Sequence, residues 1–305
     1  MTVLQTTGLT KQYGAKLAVD HVSMNIEKGD IYGFVGENGA GKTTIIRLIT
    51  GLIAPSEGSF SLFGVKNEDS GINQVRKQLS AVVEAPSVYL NMTAMDNLKT
   101  QCKILGLNPS ELESYLKKVG LDDVISDKKK AKNFSLGMRQ RLGIAMALIG
   151  DPQFIILDEP MNGLDPSGII EMRELICRLN QEGVTFMISS HILDELSKVA
   201  TKYGIISHGK LIRELSAEEL HAEAKHSIEL TVNDANGAAE ALKKTFADIA
   251  LEVKDAKTLS VYSEIAVGEL VTAVTTNGFA LENVFNKEEN IEEFYMELIG
   301  GGRNA

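Results

Sequence analysis

Glycines, a lysine and a threonine are combined in residues 36–43 of the sequence. The segment fits the pattern G-x-x-x-x-G-K-[ST], with a short apolar run before it and helical character after it. Such glycines let backbone N–H groups converge on phosphate oxygens, and the start of a helix adds a favourable dipole. Lys42 can place its ammonium group between two phosphates, and the Thr43 hydroxyl can ligate Mg²⁺. A glycine-rich turn with a solvated lysine is the alternative, which the flanking elements disfavour.

Two adjacent carboxylates, Asp158 and Glu159, follow the apolar residues 154–157. Asp158 would hold Mg²⁺ directly or through water, and Glu159 would polarise an attacking water molecule. Taken alone, the pair is equally typical of a solvated strand end. With Lys42 upstream, we expect both segments at one edge of a sheet, where the ligand sites of α/β proteins form.

The apolar runs that lead into these residues predict a parallel sheet. Residues 30–36, 154–157 and 184–190 are short and apolar, as is typical of strands buried on both faces. Residues 168–180 lie between the last two strands and are amphipathic. A strand, a helix and a strand form a βαβ unit, so we predict an α/β core. The apolar positions with helical spacing are Ile169, Met172, Leu175, Ile176 and Leu179.

Two further regions depart from this alternation. Residues 88–150 carry no strand pattern, and helices are indicated from a cap at Thr93 to Gly106, over 109–120 and over 137–149, so we predict a helical insertion. After residue 226 the order strand, helix, strand, strand, helix, strand predicts a small α+β, ferredoxin-like domain. We therefore place one domain at 1–218 and another at 226–305, and we assign no site residues to the second.

The composition excludes several classes of protein. The 305 residues (33.1 kDa) suit two domains, and no run approaches the roughly 18 apolar residues that a membrane span needs. The start of the chain lacks the layout of a signal peptide. The net charge of −10 disfavours nucleic acid as a partner. Cys102 and Cys177 are too few for a disulfide framework, which favours the cytoplasm.

Several further segments resemble motifs of the ATP-binding subunits of ABC transporters. Residues 134–142 are similar to the family signature, usually Leu-Ser-Gly-Gly-Gln, and precede the Asp158 strand as in that family. Residues 163–165 match its D-loop and His191 its switch histidine. Tyr13 matches the aromatic residue that stacks on adenine. The resemblance covers residues 1 to about 215 and implies a P-loop NTPase core.

The resemblance implies ATP and Mg²⁺ as cofactors and gives each matching residue a role. The implied catalytic residues are Lys42, Glu159 and His191, and the implied magnesium ligands are Thr43, Glu84 and Asp158. The implied nucleotide-binding residues are Tyr13, Gly36, Asn38, Gly39, Ala40, Gly41, Lys42, Thr43, Thr44, Glu84, Ser135, Gly137 and Asp165. Each has an ordinary alternative: His191 as a polar turn residue, Tyr13 as packing, and Ser135 with Gly137 as a helix cap.

The sequence departs from the family pattern in two places. Leu136 replaces the first glycine of the signature and Met138 its glutamine. Glu84 stands where the family has glutamine, and its carboxylate can still reach Mg²⁺ while adding negative charge near the γ-phosphate. Both departures are similar to the branch that exports bacitracin and lantibiotics, which tends to carry an added C-terminal domain.

The expected function is ATP hydrolysis that powers export of an antimicrobial peptide or drug. The resemblance implies a separate transmembrane subunit, contacted near residues 85–93, and a peripheral position on the cytoplasmic face of the membrane. It also implies a second copy of the chain, which lends Ser135 and Gly137 to the ATP site. The alternatives are a soluble ABC ATPase in iron–sulfur assembly or another non-transport process, and a chiefly regulatory subunit. The altered signature and the additional domain argue against iron–sulfur assembly.

Overall fold

A computed structural model of the chain describes residues 1–84, 86–109, 111–223, 227–263, 265–287 and 291–300. The chain divides into two compact units, Met1–Ala217 and Glu218–Ala305. Parts of the predicted segments 85–93, 109–120 and 226–305 lie outside the described residues, at 85, 110, 226, 264, 288–290 and 301–305. Among the described residues, no helix combines the length and the apolar character needed to span a bilayer.

The first unit contains a series of strands and helices, in the following order along the chain. The strands are β1 (Thr2–Tyr13), β2 (Lys16–Val22), β3 (Asn25–Glu27), β4 (Ile31–Val35), β5 (Glu57–Leu62), β6 (Val65–Lys66), β7 (Leu79–Val82), β8 (Phe154–Asp158), β9 (Thr185–Ser190), β10 (Lys202–Ser207) and β11 (Lys210–Ser216). The helices are α1 (Lys42–Thr50), α2 (Ile72–Val75), α3 (Ala94–Leu105), α4 (Leu112–Lys118), α5 (Leu136–Leu148), α6 (Pro166–Gln181) and α7 (Leu193–Ser197).

The strands of this unit form two sheets. One is antiparallel, with the order β2-β1-β5-β6 and with β3 paired to β1. The other has the order β11-β10-β4-β9-β8-β7 and is parallel except for β11. Every residue of β4, β8 and β9 is buried, as their apolar sequences predict. Because these strands are parallel, the segments that follow them emerge at one edge of the sheet.

Helix α1 lies between the two sheets and fixes the end of the glycine-rich segment. Its side chains Ile45, Ile46, Leu48 and Ile49 are fully buried. They share one hydrophobic cluster with residues of β1 and β8, among them Leu4, Leu9, Phe154 and Ile156. Full burial of each large aliphatic side chain stabilises the fold by about 1.5–3 kcal/mol. This stabilisation holds the helix in place. Gly51 ends the helix in a left-handed conformation with φ 81°.

Residues 88–150 are helical, with α3, α4 and α5 and no strand among the described residues of this segment. The Thr93 hydroxyl caps α3 by accepting the Asp96 N–H at 3.1 Å, and Gly106 closes the helix at φ 68°, as predicted. Helix α4 begins at Leu112, later than the predicted 109. Short 3₁₀ turns occur at Asp122–Val124 and Ala131–Asn133.

The second unit has its own hydrophobic core. Its elements are α8 (Ala217–Glu223), which begins at the boundary, β12 (Ser227–Val232), α9 (Ala235–Thr245), β13 (Leu251–Val253), β14 (Thr258–Val261), α10 (Val267–Thr276), β15 (Leu281–Lys287) and α11 (Ile291–Gly300). The antiparallel strand order β13-β14-β12-β15 and the element order are those of a ferredoxin-like fold. Leu242 of α9 and Leu270 of α10 pack with Leu230 and Leu259 of the sheet. Helix α11 was not predicted from the sequence.

Candidate nucleotide-binding site

The glycine-rich segment 36–43 joins β4 to α1 and needs its glycines for steric reasons. Gly39 and Gly41 have φ angles of 84° and 112°, which side-chain-bearing residues rarely adopt. A Cβ atom on Gly36 would lie 2.4 Å from the Ile206 carbonyl oxygen, and one on Gly41 would lie 2.6 Å from that of Ala18. Gly41 is also the N-cap of α1 and makes no side-chain cap, so the start of this helix can receive an anion.

Lys42 is the cation of this segment and is only 6% exposed. Its Nζ donates a hydrogen bond to the Gly36 carbonyl oxygen at 2.5 Å and lies 3.3 Å from Glu159 Oε1. A buried ammonium group needs such partners because an unpaired buried charge is costly. The contacts place the Lys42 charge between the glycine-rich segment and the end of β8.

Asp158 is held by two hydroxyl groups at the end of β8. Thr43 Oγ1 donates to Asp158 Oδ2 at 3.0 Å, and Ser189 Oγ donates to Asp158 Oδ1 at 2.5 Å. The adjoining hydroxyl and carboxylate oxygens of Thr43 and Asp158 are hard donors that fit Mg²⁺. Among the described residues there is no cluster of three His, Cys, Asp or Glu ligands.

The carboxylate of Glu159 is held at both oxygens. Lys42 lies at Oε1, and His191 Nδ1 lies 2.7 Å from Oε2. The Glu159 N–H donates to Ser189, to Oγ at 3.0 Å and to the carbonyl oxygen at 3.2 Å. Glu159 has φ 53°, a left-handed conformation that turns the chain sharply after β8. The arrangement presents one oriented carboxylate beside the Thr43–Asp158 pair, where it can orient a water molecule.

A cleft of about 730 Å³ opens over these residues. Tyr13 lies in its wall with 49% of the side chain exposed, and Lys11 Nζ lies 5.3 Å from the centre of the tyrosine ring. Stacking of adenine on this ring remains a prediction. Of the other predicted nucleotide-binding residues, the cleft is lined by Asn38, Gly39, Gly41, Lys42, Thr43, Thr44 and Glu84. Gly36 and Ala40 are buried beneath it.

Glu84 lines the same cleft, but its carboxylate is bound to an arginine. Arg47 Nη2 lies 2.5 Å from Glu84 Oε1, so the two side chains form a hydrogen-bonded ion pair. The other two predicted magnesium ligands, Thr43 and Asp158, contact each other. The structure therefore brings Glu84 to the cleft without placing it on the predicted magnesium ligands.

The remaining predicted residues lie at the starts of helices in the same chain. The exposed Ser135 is the N-cap of α5, and its Oγ accepts the Met138 N–H at 3.1 Å. Gly137 lies in the first turn of α5. Asp165 caps α6 by accepting the Gly168 N–H at 3.0 Å. None of these three lines the cleft described above, although Leu136 does.

Sequence reasoning missed several residues that shape the site. Ser189 orients both Asp158 and the Glu159 backbone, and Arg47 binds Glu84. The serine pair that ends the apolar run 184–190 was a usable signal, because β9 neighbours β8 in the sheet. Arg47 gave no signal, since an arginine in an amphipathic helix is ordinarily solvated. Further lining residues are Lys16, Glu37, Gln140 and Asn162.

The fold and the site together define a P-loop nucleotide-binding protein. The buried strand, glycine-rich turn and helix start surround a lysine, and a second strand ends in Asp158 and Glu159 at the same sheet edge. Comparison with known proteins agrees, because the family described as ABC transporter matches residues 19–162.

Relatives extend the match over almost the whole chain. The bacitracin transport ATP-binding protein BcrA of Bacillus licheniformis is 41% identical over 304 residues, covering 99% of this chain and 98% of the relative. The lantibiotic transport ATP-binding protein SrtF of Streptococcus pyogenes is 45% identical over 212 residues, 70% of this chain and 90% of the relative. The chain belongs to the family of ABC transporter ATP-binding proteins.

Solved structures share the fold of the first unit. The cassette cbiO1 of Clostridium perfringens, part of the ABC transporter complex cbiONQ, is 25% identical, with a TM-score of 0.66 over 73% of this chain and 91% of that one. The ADP conformation of the cassette MJ1267 is 25% identical, with a TM-score of 0.65 over 72% of this chain and 92% of that one. The predicted P-loop NTPase core is thereby confirmed, and the chain is an ATPase that binds adenine nucleotides.

Proposed function

We propose that the chain powers export of an antimicrobial peptide through a separate membrane subunit. In this proposal the chain binds that subunit on the cytoplasmic side of the membrane. The observation that carries the proposal is the Glu159 carboxylate, held by Lys42 and His191 beside the Thr43–Asp158 pair. The substrate class rests on the relatives BcrA and SrtF, whose names give bacitracin and lantibiotic transport. Iron–sulfur assembly is not favoured, because these relatives are transport proteins.

Each residue has a distinct task in the proposed reaction. Backbone N–H groups of residues 36–43 bind the phosphates, and Lys42 binds the β- and γ-phosphate oxygens. Thr43 and Asp158 would hold Mg²⁺, which neutralises phosphate charge when it is bound. Glu159 orients the attacking water towards the γ-phosphate, and His191 keeps the Glu159 carboxylate in position.

The proposed site is completed by a second copy of the chain. Ser135 stands at the exposed start of α5, where helix N–H groups favour an anion, so it can turn from its own helix to the phosphate of a facing copy. A dimeric cassette bound to ADP and Pi shares this fold, with a TM-score of 0.62 at 22% identity. The closing and opening of two such sites would be passed to the membrane subunit through the segment near residues 85–93.

Glu159→Gln tests the assigned role directly. The amide keeps the size of the side chain but cannot take a proton from water, so we expect turnover to fall by at least about 100-fold while ATP still binds. Steady-state ATPase rates and equilibrium titration with ATP measure the two effects. Glu171→Gln is the control, because Glu171 lies on α6 and pairs with Arg141 outside the cleft.

If Glu159→Gln hydrolysed ATP at the wild-type rate, the assignment of Glu159 as the catalytic base would be wrong.

Transport is tested in cells that make the chain with its membrane subunit. These cells should tolerate higher concentrations of bacitracin or a lantibiotic, and Glu159→Gln should abolish the protection. Equal sensitivity with and without the wild-type chain would contradict the proposed substrate class.

A further inference from the structure

We infer that Arg47 is a positioning residue that fixes the location of the Glu84 carboxylate, and offsets its negative charge, in the cleft that holds the predicted magnesium ligands Thr43 and Asp158. The inference rests on the proposed function, since it concerns how the same cleft receives ATP with its metal. Neither residue type alone indicates this role. The juxtaposition of a cleft carboxylate with a guanidinium on the phosphate-binding helix carries it.

The contact joins two segments whose residues line the same cleft. Arg47 lies on α1, the helix that begins with Lys42 and Thr43, and Glu84 follows β7. Nη2 of Arg47 and Oε1 of Glu84 are 2.5 Å apart, with 44% and 64% of the two side chains exposed. Glu84 has φ 62°, a conformation that residues other than glycine rarely adopt without support from their surroundings. The ion pair is such a support, and it directs the carboxylate towards α1.

The charges around the cleft explain why Glu84 needs a cation. Four carboxylates line it and two lysines oppose them: Glu37, Glu84, Asp158 and Glu159 against Lys16 and Lys42. ATP without metal brings about four further negative charges. Arg47 supplies the compensating charge for Glu84, so this carboxylate repels the nucleotide less than an unpaired one would.

Loss of Arg47 should therefore act on nucleotide and metal in opposite directions. An unpaired Glu84 repels metal-free ATP, which should bind about threefold more weakly at low salt, a size typical of an exposed ion pair. The same unpaired carboxylate attracts a divalent cation, so the nucleotide complex should bind Mn²⁺ more tightly. Both effects should shrink as salt is raised, because exposed charges are screened.

The test is a double-mutant cycle with wild type, Arg47→Gln, Glu84→Gln and the pair combined. Equilibrium titration with ATP in EDTA gives the nucleotide affinity, and electron paramagnetic resonance with ADP present gives the Mn²⁺ affinity. We expect opposite shifts in Arg47→Gln, no such shifts when Arg47→Gln is added to Glu84→Gln, and restoration by Arg47→Lys. Shifts of equal size with and without Glu84→Gln would show that Arg47 acts independently of Glu84 and would overturn the inference.

The outcome is distinguishable from a failure of the proposed function. If the proposed site were wrong, the wild-type chain would show no metal-dependent binding of adenine nucleotide. If only this inference were wrong, wild-type binding would be intact and the cycle would show no coupling between the two residues.

Discussion

At the scale of single residues, Ser189 contacts both Asp158 and the backbone of Glu159, the two acidic residues for which we propose different roles. Its hydroxyl donates to Asp158 Oδ1 at 2.5 Å and accepts the Glu159 N–H at 3.0 Å. Ser189 is fully buried in β9, so water cannot replace it easily. One side chain thus sets both the orientation of the predicted metal ligand and the turn that presents the predicted base.

Ser189→Ala should weaken the binding of Mg²⁺ more than the binding of the nucleotide. Partners that orient a metal ligand typically contribute 10- to 100-fold to metal affinity or activity, so we expect about tenfold more Mg²⁺ to be needed for half-maximal turnover. ATP affinity measured in EDTA should change little. Ser190→Ala is the matched control, because Ser190 contacts Glu195 and Ile192 rather than Asp158. A similar rise in the Mg²⁺ requirement for both variants would contradict the role of Ser189.

The residues of the site divide according to what the sequence could reveal. Lys42, Thr43, Asp158 and Glu159 lie in contiguous patterns whose spacing is enforced by a strand, a turn and a helix, so their proximity was predictable. The contact between Arg47 and Glu84 joins positions 37 residues apart through tertiary packing alone. No local pattern records such a contact.

At the scale of elements, Tyr32 ties the parallel sheet together from inside β4. Its ring is fully buried, and its hydroxyl donates to Glu214 Oε1 on β11 at 3.0 Å. A Cβ on Gly204 of β10 would lie 2.1 Å from this hydroxyl, so the glycine leaves the path open. Glu214 also accepts the Asn25 N–H at 3.2 Å and lies 3.4 Å from Lys202 Nζ. The network links β4, β10 and β11 of the parallel sheet to β3 of the antiparallel sheet.

Tyr32→Phe tests this network through the pH dependence of stability. Burial, followed by the nearby Glu214 carboxylate, raises the pKa of Tyr32 well above its ordinary value. The folded chain therefore keeps the Tyr32 proton at a pH where the unfolded chain, with a tyrosine pKa of about 10, loses it. The free energy of unfolding must fall as pH rises above about 10. The variant lacks this contribution.

Urea unfolding from pH 8 to 11 measures the expected difference between wild type and Tyr32→Phe. At pH 8 the variant should be less stable by about 1.5–3 kcal/mol, the net value of a hydrogen bond to a charged group. The difference should shrink above pH 10, as wild type alone loses the contribution of Tyr32. Tyr203, whose pKa burial raises to about 12, is present in both proteins and cancels. A constant difference across this range would show that Tyr32 does not titrate as described.

The elements also show where periodicity stops being informative. Strands β4, β8 and β9 were predictable because burial on both faces makes their sequences continuously apolar. Strand β1 was not predicted, although it is longer than any of these. Its pairing with β2 shifts register near Leu9 and Lys11. Thr6 and Thr10 are buried, and their hydroxyl groups donate hydrogen bonds to backbone carbonyl oxygens. The alternation of apolar and polar residues that marks a strand is therefore broken.

At the scale of the whole molecule, the question is whether Ser135, the N-cap of α5, also contacts a nucleotide bound by a second copy of the chain. In the single chain, Ser135 serves its own helix and lines no part of the cleft that contains Lys42. The proposal gives the same hydroxyl a second partner, a phosphate bound by a facing copy. ATP would then hold two copies together through two symmetric contacts.

Ser135→Ala should therefore weaken dimerisation far more than nucleotide binding to one chain. We expect the ATP-dependent dimer of the Glu159→Gln background to dissociate at least about tenfold more readily, since each lost contact is a hydrogen bond to a charged group. ATP affinity of the dilute, monomeric chain should stay within about twofold. Analytical ultracentrifugation with and without ATP measures the first quantity, and titration at low protein concentration measures the second.

Thr93→Ala separates loss of a helix cap from loss of a contact between copies. Thr93 caps α3 as Ser135 caps α5, each by accepting a backbone N–H at 3.1 Å. Each substitution should lower the stability of the chain by about 1 kcal/mol, so thermal unfolding should shift by similar amounts in the two variants. Only Ser135→Ala should then weaken the ATP-bound dimer. If Thr93→Ala weakened it equally, the cap itself would explain the effect, and Ser135 would act within its own chain.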